Sequence, residues 1–152
     1  MDYLWQGIGA YLRNTPEIKY LFGPVSMSAS YSNVAKDMIL YFFDQNFKDI
    51  DNLVSAKLPY NFKSDEILVQ NLEKELVNDD YKQNFKTLKK SLSSIESNVP
   101  TLYKQYADIC EKGGIKFCAY NIDPDFSNCV DSFIIVEIDK MKENQKKRYI
   151  YE

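Results

Sequence analysis

The spacing of apolar residues changes along this chain. Up to about residue 112 they mostly recur every three or four positions, which predicts amphipathic helices. Five such helices are expected, beginning near residues 2, 32, 64, 81 and 100. Residues 18–27, 115–122 and 130–138 instead form the short apolar runs that are typical of strands. This order of helices and strands predicts an α+β fold.

The first predicted strand contains a feature that determines its place in a sheet. Gly23 and Pro24 interrupt its apolar run, and alternating serines at Ser26, Ser28 and Ser30 lead into the second helix. Because proline has no N–H to donate to a neighbour, this strand must lie at a sheet edge or where two strands part. Parting strands leave a slot in which exposed backbone groups can meet a ligand.

The last third of the chain is predicted to contain two strands joined by a turn-rich linker. The run Phe133-Ile-Ile-Val136 is apolar at consecutive positions, so its strand should lie inside the sheet. Asp123-Pro-Asp-Phe-Ser-Asn128 has the composition of a turn. The charged tail, residues 140–148, is predicted to be a frayed helix. Gly7 and Gly9 inside the first helix predict the close approach of another backbone, since glycine weakens a helix.

Composition limits the classes of protein to which this chain can belong. With 152 residues, 45% of them hydrophobic, the chain is long enough to fold as one domain with a real core. Its net charge of -3 offers no basic surface for nucleic acid, so no nucleic-acid partner is expected. No apolar run approaches the roughly 18–20 residues needed to span a bilayer, and no signal-peptide pattern is present. Three cysteines without CxxC spacing indicate reduced thiols in a cytoplasmic protein.

The absence of histidine excludes several reaction mechanisms. Without it this chain contains no Ser-His or Cys-His nucleophile pair and no histidine-ligated metal site. Acid–base chemistry must therefore use Asp, Glu, Tyr, Lys, a terminal amine or residues of another chain. We expect no metal and no permanently bound cofactor.

Two blocks of sequence resemble a known family. The first includes Leu4-Trp-Gln-Gly-Ile-Gly9, Tyr20-Leu-Phe-Gly-Pro-Val-Ser26 and Tyr31-Ser32. The second includes Leu102-Tyr-Lys-Gln-Tyr106, Gly113-Gly114, Asn121-Ile-Asp-Pro-Asp-Phe126, Asn128, Asp131 and Lys147-Arg-Tyr-Ile150. Together they resemble the hemolysin-labelled branch of the GNAT superfamily, which contains the ornithine- and glycine-lipid N-acyltransferases and is related to acyl-homoserine-lactone synthases. The resemblance covers somewhat over half of the chain.

The resemblance implies both a fold and a reaction. The fold is a mixed, mainly antiparallel sheet with flanking helices, in which the fourth and fifth strands splay apart to admit a pantetheine arm. Gly23 and Pro24 match the fifth strand. The reaction is transfer of a fatty acyl group from acyl carrier protein or a CoA thioester to an amine, such as that of an amino acid, during membrane-lipid synthesis. The amine attacks directly, without a covalent enzyme intermediate.

The resemblance also implies that the chain corresponds to the C-terminal part of such an enzyme. The family's first four strands and most of its phosphate-binding loop have no counterpart here. Gln6-Gly-Ile-Gly9 is similar to that loop but one residue short, and it falls within a helical pattern. We therefore expect residues 1–152 to form a single partial GNAT-like domain that is weakly active or inactive alone. Residues 48–98, which match no motif, are interpreted as a helical insertion.

The matching motifs supply candidate site residues for the acyl donor. Tyr31 is the candidate proton donor to the leaving thiolate, and its alternative role is aromatic packing at a helix start. Ser26 and Ser28 are candidates to hydrogen-bond the acyl carbonyl or a pantetheine amide, or else simple strand-end and capping residues. Gly23 and Pro24 are expected to line the slot itself.

Candidate residues for the acceptor come from the linker between the last two strands. Asn121, Asp123 and Asp125 are predicted to bind the substrate, with the two carboxylates facing its amine. Turn chemistry alone also explains Asp123 and Asp125, since they flank Pro124.

Partners and location follow from surface features. Lys82, Lys86, Lys89 and Lys90 form a basic helix face, which is either simply solvated or meets acidic acyl carrier protein or the anionic inner face of a membrane. A sheet edge left unpaired would favour a homodimer. The alternative function is a non-catalytic α+β binding or regulatory module that retains the scaffold. Stabilisation by thioester ligands distinguishes the enzyme from that module.

Overall fold

The computed structural model describes residues 2–62, 66–76 and 80–151. The chain order is α1 (Asp2–Asn14), β1 (Tyr20–Met27), α2 (Asn33–Phe47), α3 (Glu66–Glu75), α4 (Tyr81–Ser93), α5 (Thr101–Ala107), β2 (Ile115–Asp123), β3 (Cys129–Glu137), a 3₁₀ turn (Ile138–Lys140), α6 (Glu143–Lys146) and a π-helical turn (Lys147–Tyr151). The predicted α+β class is confirmed. The predicted start of the third helix, Ser64 and Asp65, lies outside the described residues.

The described strands form one antiparallel sheet in the order β1-β3-β2. β3 is central and pairs with both neighbours, as its two apolar faces predicted. A β-bulge between Phe117 and Ala119 shifts the register of β2. The antiparallel sheet with flanking helices is compatible with a partial GNAT-like fold.

Pro24 occupies the edge position that its chemistry requires, but it does not interrupt its strand. β1 pairs with β3 continuously from Tyr20↔Glu137 to Met27↔Val130. An unbroken ladder is possible because an edge strand can point its proline nitrogen away from its neighbour. The predicted interruption at Gly23 and Pro24, and a gap between β1 and β3, are therefore wrong. The outer edge of β1, which pairs with no described strand, remains as the location for a ligand-binding slot next to Pro24.

The helices cover one face of the sheet. Inward side chains of β2 and β3, such as Phe117 and Ile134, meet the aromatic residues of α2 and α5 in the core. Phe43 of α2 is fully buried and contacts Tyr103 and Phe117 at ring-centroid distances of 5.2 and 4.8 Å. Ser32 caps α2, its hydroxyl accepting a hydrogen bond from the amide of Ala35, as predicted. None of the described helices has the length and apolar character required to cross a membrane.

The C-terminal tail is ordered against α1. Ile150 is buried, and the ring of Tyr149 lies 5.6 Å from that of Trp5. Gly9 makes this possible, since a Cβ there would lie 1.5 Å from the carbonyl oxygen of Tyr149. The predicted helix in the tail is confirmed at Glu143–Lys146, whereas its fraying is wrong, because the apolar residues that follow pack on α1. Close backbone approach is confirmed at Gly9, whereas a Cβ at Gly7 would meet nothing within 4 Å.

The segment that follows α2, residues 48–62, runs along the outer edge of β2. Isolated bridges join Lys48 to Phe117 and Pro59 to Asn121. The amide of Tyr60 also donates to the carbonyl of Tyr120 at 2.9 Å. The outer edge of β2 is therefore partly covered, whereas no described strand pairs with the outer edge of β1.

Buried phenols and thiols predict alkaline sensitivity. Burial, with a smaller contribution from Asp108, raises the pKa of Tyr81 to about 12. Burial also raises the pKa of Cys110 to about 11 and that of Cys118 to about 12. Unfolded Cys and Tyr ionise near pH 8.5 and 10, so the folded chain holds these protons more tightly. This stabilisation is complete below about pH 8.5 and is lost as pH rises toward 11–12.

Urea unfolding at pH 8, 9.5 and 11 is expected to show a falling free energy of unfolding. Tyr81→Phe should reduce the part of this fall that occurs above pH 10. A free energy that is constant to pH 11 would contradict the burial of these groups.

Candidate functional site

Most of the predicted site residues meet at one end of the sheet. β1 ends at Met27, opposite Val130 at the start of β3, and Val130 also faces Ile122 near the end of β2. The β1–α2 connection and the β2–β3 hairpin therefore emerge side by side. This brings Ser26, Ser28 and Tyr31 to the same end as Asn121, Asp123 and Asp125. We call this region the sheet end.

A polar row crosses the outward face of the three strands at the sheet end. Ser26, Asp131 and Asn121 occupy matching positions on β1, β3 and β2. The hydroxyl of Ser26 donates to Oδ1 of Asp131 at 2.6 Å. Asn121 is held in place, because its Oδ1 accepts from the amide of Leu58 at 2.7 Å and its Nδ2 donates to the carbonyl of Ile122. Ser26 and Asn121 thus flank a half-buried carboxylate.

Asp131 is the site residue that the sequence reasoning missed as a candidate. It lay within a matched motif, but its role depends on pairing with Ser26, which is 105 positions away. Among the described residues nothing donates a hydrogen bond to its second oxygen, Oδ2. Side chains alternate between the two faces of β3, so Asp131 points outward and its neighbour Ser132 points inward. This alternation was the signal in the sequence that could have identified Asp131.

Asp123 and Asp125 adopt the turn geometry that was the alternative to a binding role. Oδ1 of Asp123 accepts hydrogen bonds from the amides of Asp125 and Phe126 at 3.0 and 3.1 Å. Asp125 is exposed, and its carboxylate forms no ion pair with a described lysine or arginine. Asp123 therefore shapes the hairpin, while Asp125 extends from it.

Tyr31 lies just before α2 and is half-buried. Its hydroxyl donates to Oδ1 of Asn98 at 3.3 Å. Burial raises the pKa of its phenol, so Tyr31 stays protonated at neutral pH and retains a proton to donate. The nearby Ser28 hydroxyl hydrogen-bonds that of Ser30 at 2.8 Å. Both serine hydroxyls are exposed at the sheet end.

A second polar contact supports the sheet end from the inward face. The hydroxyls of Tyr103 and Ser132 lie 2.6 Å apart, and both residues are fully buried. Burial raises the pKa of Tyr103, the hydrogen bond with Ser132 partly opposes this rise, and the neighbouring charge of Asp131 adds to it. Tyr103 is therefore uncharged and is held in place by Ser132, beneath the outward polar row.

Gly23 and Pro24 lie farther along β1, where they line an apolar cleft of about 160 Å³. This α1–β1 cleft has walls formed by Trp5, Ile8, Leu21, Phe22, Gly23, Pro24, Tyr106, Ile134 and Val136. A Cβ at Gly23 would meet nothing within 4 Å, so the glycine leaves room there. The volume is below the roughly 300 Å³ of ordinary ligand pockets, so the cleft accommodates only a segment of a long molecule.

The cleft and the sheet end are connected by β1. Ser26 lies two positions after Pro24, a rise of about 7 Å along a strand. Along this edge, an extended arm can meet backbone groups of β1, with an apolar end in the cleft and a polar end near Ser26 and Tyr31. Within the described ranges, no group of three or more Cys, Asp or Glu side chains is arranged to hold a metal ion.

Comparison with known proteins finds similarity over nearly the whole chain. The chain is 28% identical, over 150 residues, to a glycine N(alpha)-acyltransferase of Phocaeicola vulgatus. It is also 28% identical over 150 residues to a glycine N(alpha)-acyltransferase of Bacteroides thetaiotaomicron. In each case 99% of the chain is aligned, but it spans only 44% and 43% of these relatives. No protein-family profile and no solved structure matches the chain.

The resemblance to N-acyltransferases that the motifs predicted is therefore confirmed as sequence similarity across the chain, including the region 48–98 that carried no recognised motif. The candidate site residues taken from that resemblance, from Gly23 and Pro24 to Asp125, lie along one edge and at one end of a single sheet. By its sequence, the chain is similar to part of two glycine N(alpha)-acyltransferases.

Proposed function

We propose that this chain forms the acyl-transfer portion of a GNAT-type lipid N-acyltransferase. It transfers a fatty acyl group from the thioester of acyl carrier protein or CoA to the amine of an amino acid, with glycine as the first candidate. The observation that carries the proposal is the convergence of two separate connections at the sheet end, beside the free edge of β1. The names of the full-length relatives support the choice of acceptor.

The proposed donor site lies along β1. The pantetheine arm runs beside the free edge near Gly23 and Pro24, and an apolar segment enters the α1–β1 cleft. Pro24 favours this use of the edge, since a strand that lacks one N–H is a poor partner for a further continuous ladder. In this arrangement Ser28, directly after the end of β1, donates a hydrogen bond from its hydroxyl to the carbonyl oxygen of the thioester.

The proposed chemistry uses residues from both connections. The amine nitrogen attacks the thioester carbonyl carbon, the C–S bond breaks, and the thiolate takes the proton of Tyr31. The second proton that the nitrogen loses as the amide forms returns to the Tyr31 phenolate. Asp131 holds the ammonium form of the acceptor through Oδ2 and accepts its proton, while Ser26 fixes the orientation of the carboxylate. Asp125, in the exposed turn between β2 and β3, adds a second carboxylate to the acceptor side of the site. Residues 48–98 are an insertion within this single domain, with helices at Glu66–Glu75 and Tyr81–Ser93.

Donor binding tests the proposal directly. Lauroyl-CoA should raise the melting temperature of the chain more than CoA does, because only the thioester carries an acyl chain for the cleft. A ligand present at 100 times its dissociation constant stabilises by about 2.7 kcal/mol. A Cβ at Gly23 would meet nothing within 4 Å, so Gly23→Leu should place its side chain in the cleft and abolish the difference between lauroyl-CoA and CoA. Gly7→Leu, at a glycine with equal free space but outside the cleft, is the matched control.

The outcomes separate the two candidate functions. If neither lauroyl-CoA nor a lauroylated acyl carrier protein stabilises the chain, the donor site is absent and the non-catalytic module is the better interpretation. Stabilisation that Gly7→Leu and Gly23→Leu reduce equally would also contradict the proposed location.

A further inference from the structure

A second, larger cleft lies at the opposite end of the molecule from the sheet end. Its described walls come from the C-terminal half of α2, the start of α4, and the stretch from α5 to Gly113 just before β2. We call it the α2–α4 cleft. It measures about 810 Å³, within the range of about 300–1,000 Å³ that is typical of small-molecule sites. The mechanism proposed above does not use it.

One wall of this cleft is aromatic. Phe47, Tyr81 and Phe85 are half-buried and line it together. Their rings contact one another, with centroids 5.5 Å apart for Phe47 and Tyr81 and 5.8 Å apart for Tyr81 and Phe85. Leu76 extends the apolar surface. Half-buried apolar side chains gathered in one cleft leave hydrophobic area that a ligand can cover.

The rim of the cleft is cationic. Lys82, Lys104 and Lys112 come from three different segments and line the same opening. None of them forms an ion pair with a described acidic residue. Lys142, also at the rim, is occupied by Asp108. The lining also contains Asp108 and Glu111, so its four lysines exceed its two carboxylates by two positive charges. In a chain of net charge -3, this local excess favours an anion.

We infer that the α2–α4 cleft binds a single-chain anionic amphiphile, whose apolar chain covers the ring wall and whose carboxylate or phosphate meets Lys104 and Lys112. An N-acyl amino acid has this chemistry, as do a fatty acid and an alkyl phosphate. The inference does not rest on the proposed acyl transfer, because the cleft shares no lining residue with the α1–β1 cleft.

Calorimetric titration below the micelle concentration tests this inference. Laurate and dodecyl phosphate are the two anionic probes, dodecanol is the uncharged probe, and inorganic phosphate is the anion without a chain. We expect at least one anionic probe to bind at least fivefold more tightly than dodecanol, and inorganic phosphate alone to give no measurable heat. The tighter of the two anionic probes identifies the head group.

Charge variants locate the site. The double variant Lys104→Gln/Lys112→Gln should weaken binding of the preferred probe at least fivefold. Lys89→Gln/Lys90→Gln removes the same charge from α4 outside the cleft and should change it less than twofold. Gly23→Leu, a variant of the α1–β1 cleft, should leave amphiphile binding unchanged. A failure of the amphiphile site is therefore distinguishable from a failure of the donor site.

Four results would overturn the inference. They are no binding of either anionic probe, equally tight binding of dodecanol, equally tight binding of inorganic phosphate, and an equal loss in the two double variants.

Discussion

Gly9→Ala is expected to lower the free energy of unfolding by about 3 kcal/mol or more. The new Cβ would lie 1.5 Å from the carbonyl oxygen of Tyr149 and 2.4 Å from its carbonyl carbon. Overpacking typically costs about 1–3 kcal/mol, and here the obstacle is backbone, which cannot turn aside like a flexible side chain. The variant relieves the clash only by separating α1 from the C-terminal tail.

Urea unfolding and tryptophan fluorescence both measure this effect. Trp5 is the single tryptophan, is 4% exposed and packs against Tyr149. Its emission should therefore shift to the red in Gly9→Ala. Gly7→Ala, two residues earlier in the same helix, should instead raise stability by about 0.5–1 kcal/mol, because alanine is the better helix former. Equal stability of the two variants would show that the tail does not dock on α1 as described.

Phe43→Ala is expected to cost about 3–5 kcal/mol, as removal of a fully buried phenylalanine commonly does. Its ring contacts those of Phe42, Phe47, Tyr103 and Phe117, so it joins α2 to α5 and to β2. Because a domain has only about 5–15 kcal/mol of stability in total, this loss is a large share of it. The measurement is the free energy of unfolding in urea.

Phe22→Ala is the matched control for Phe43→Ala. Phe22 is 74% exposed on the edge strand, and its ring contacts Phe133 at 5.9 Å. Its truncation should cost less than about 1 kcal/mol, because little of its surface is removed from water on folding. A loss as large as that of Phe43→Ala would mean that the outward face of β1 is covered by packing that the described contacts do not include.

Much of the fold was predictable because it depends on local chemistry. The period of apolar residues identified helices and strands. The missing N–H of Pro24 limited β1 to a sheet edge or a parting of strands, and the structure shows the edge. The consecutive apolar residues of β3 placed that strand in the centre of the sheet. Ser32 as a helix cap and Asp123 as a turn residue follow equally from side chains that reach backbone amides two or three positions away.

The site was predictable only in part. The matched motifs named residues from both connections, and pairing of the strands then brought them to one sheet end. The partner of Ser26, the carboxylate of Asp131, was not predicted as a site residue, since their contact depends on the register between β1 and β3. The lysines of the α2–α4 cleft likewise belong to segments that only packing brings together.

The amino-acid sequence by itself determined the element types, the restriction of β1 to a sheet edge or a parting of strands, and the likeness to N-acyltransferases. Each of these depends on residues close together in the chain or on short sequence motifs. Tertiary structure alone decided that Gly9 rather than Gly7 is indispensable, that the tail is ordered, and that β1 continues through Pro24. These outcomes depend on which distant backbone approaches each residue, and no local pattern of hydrophobicity encodes that distance.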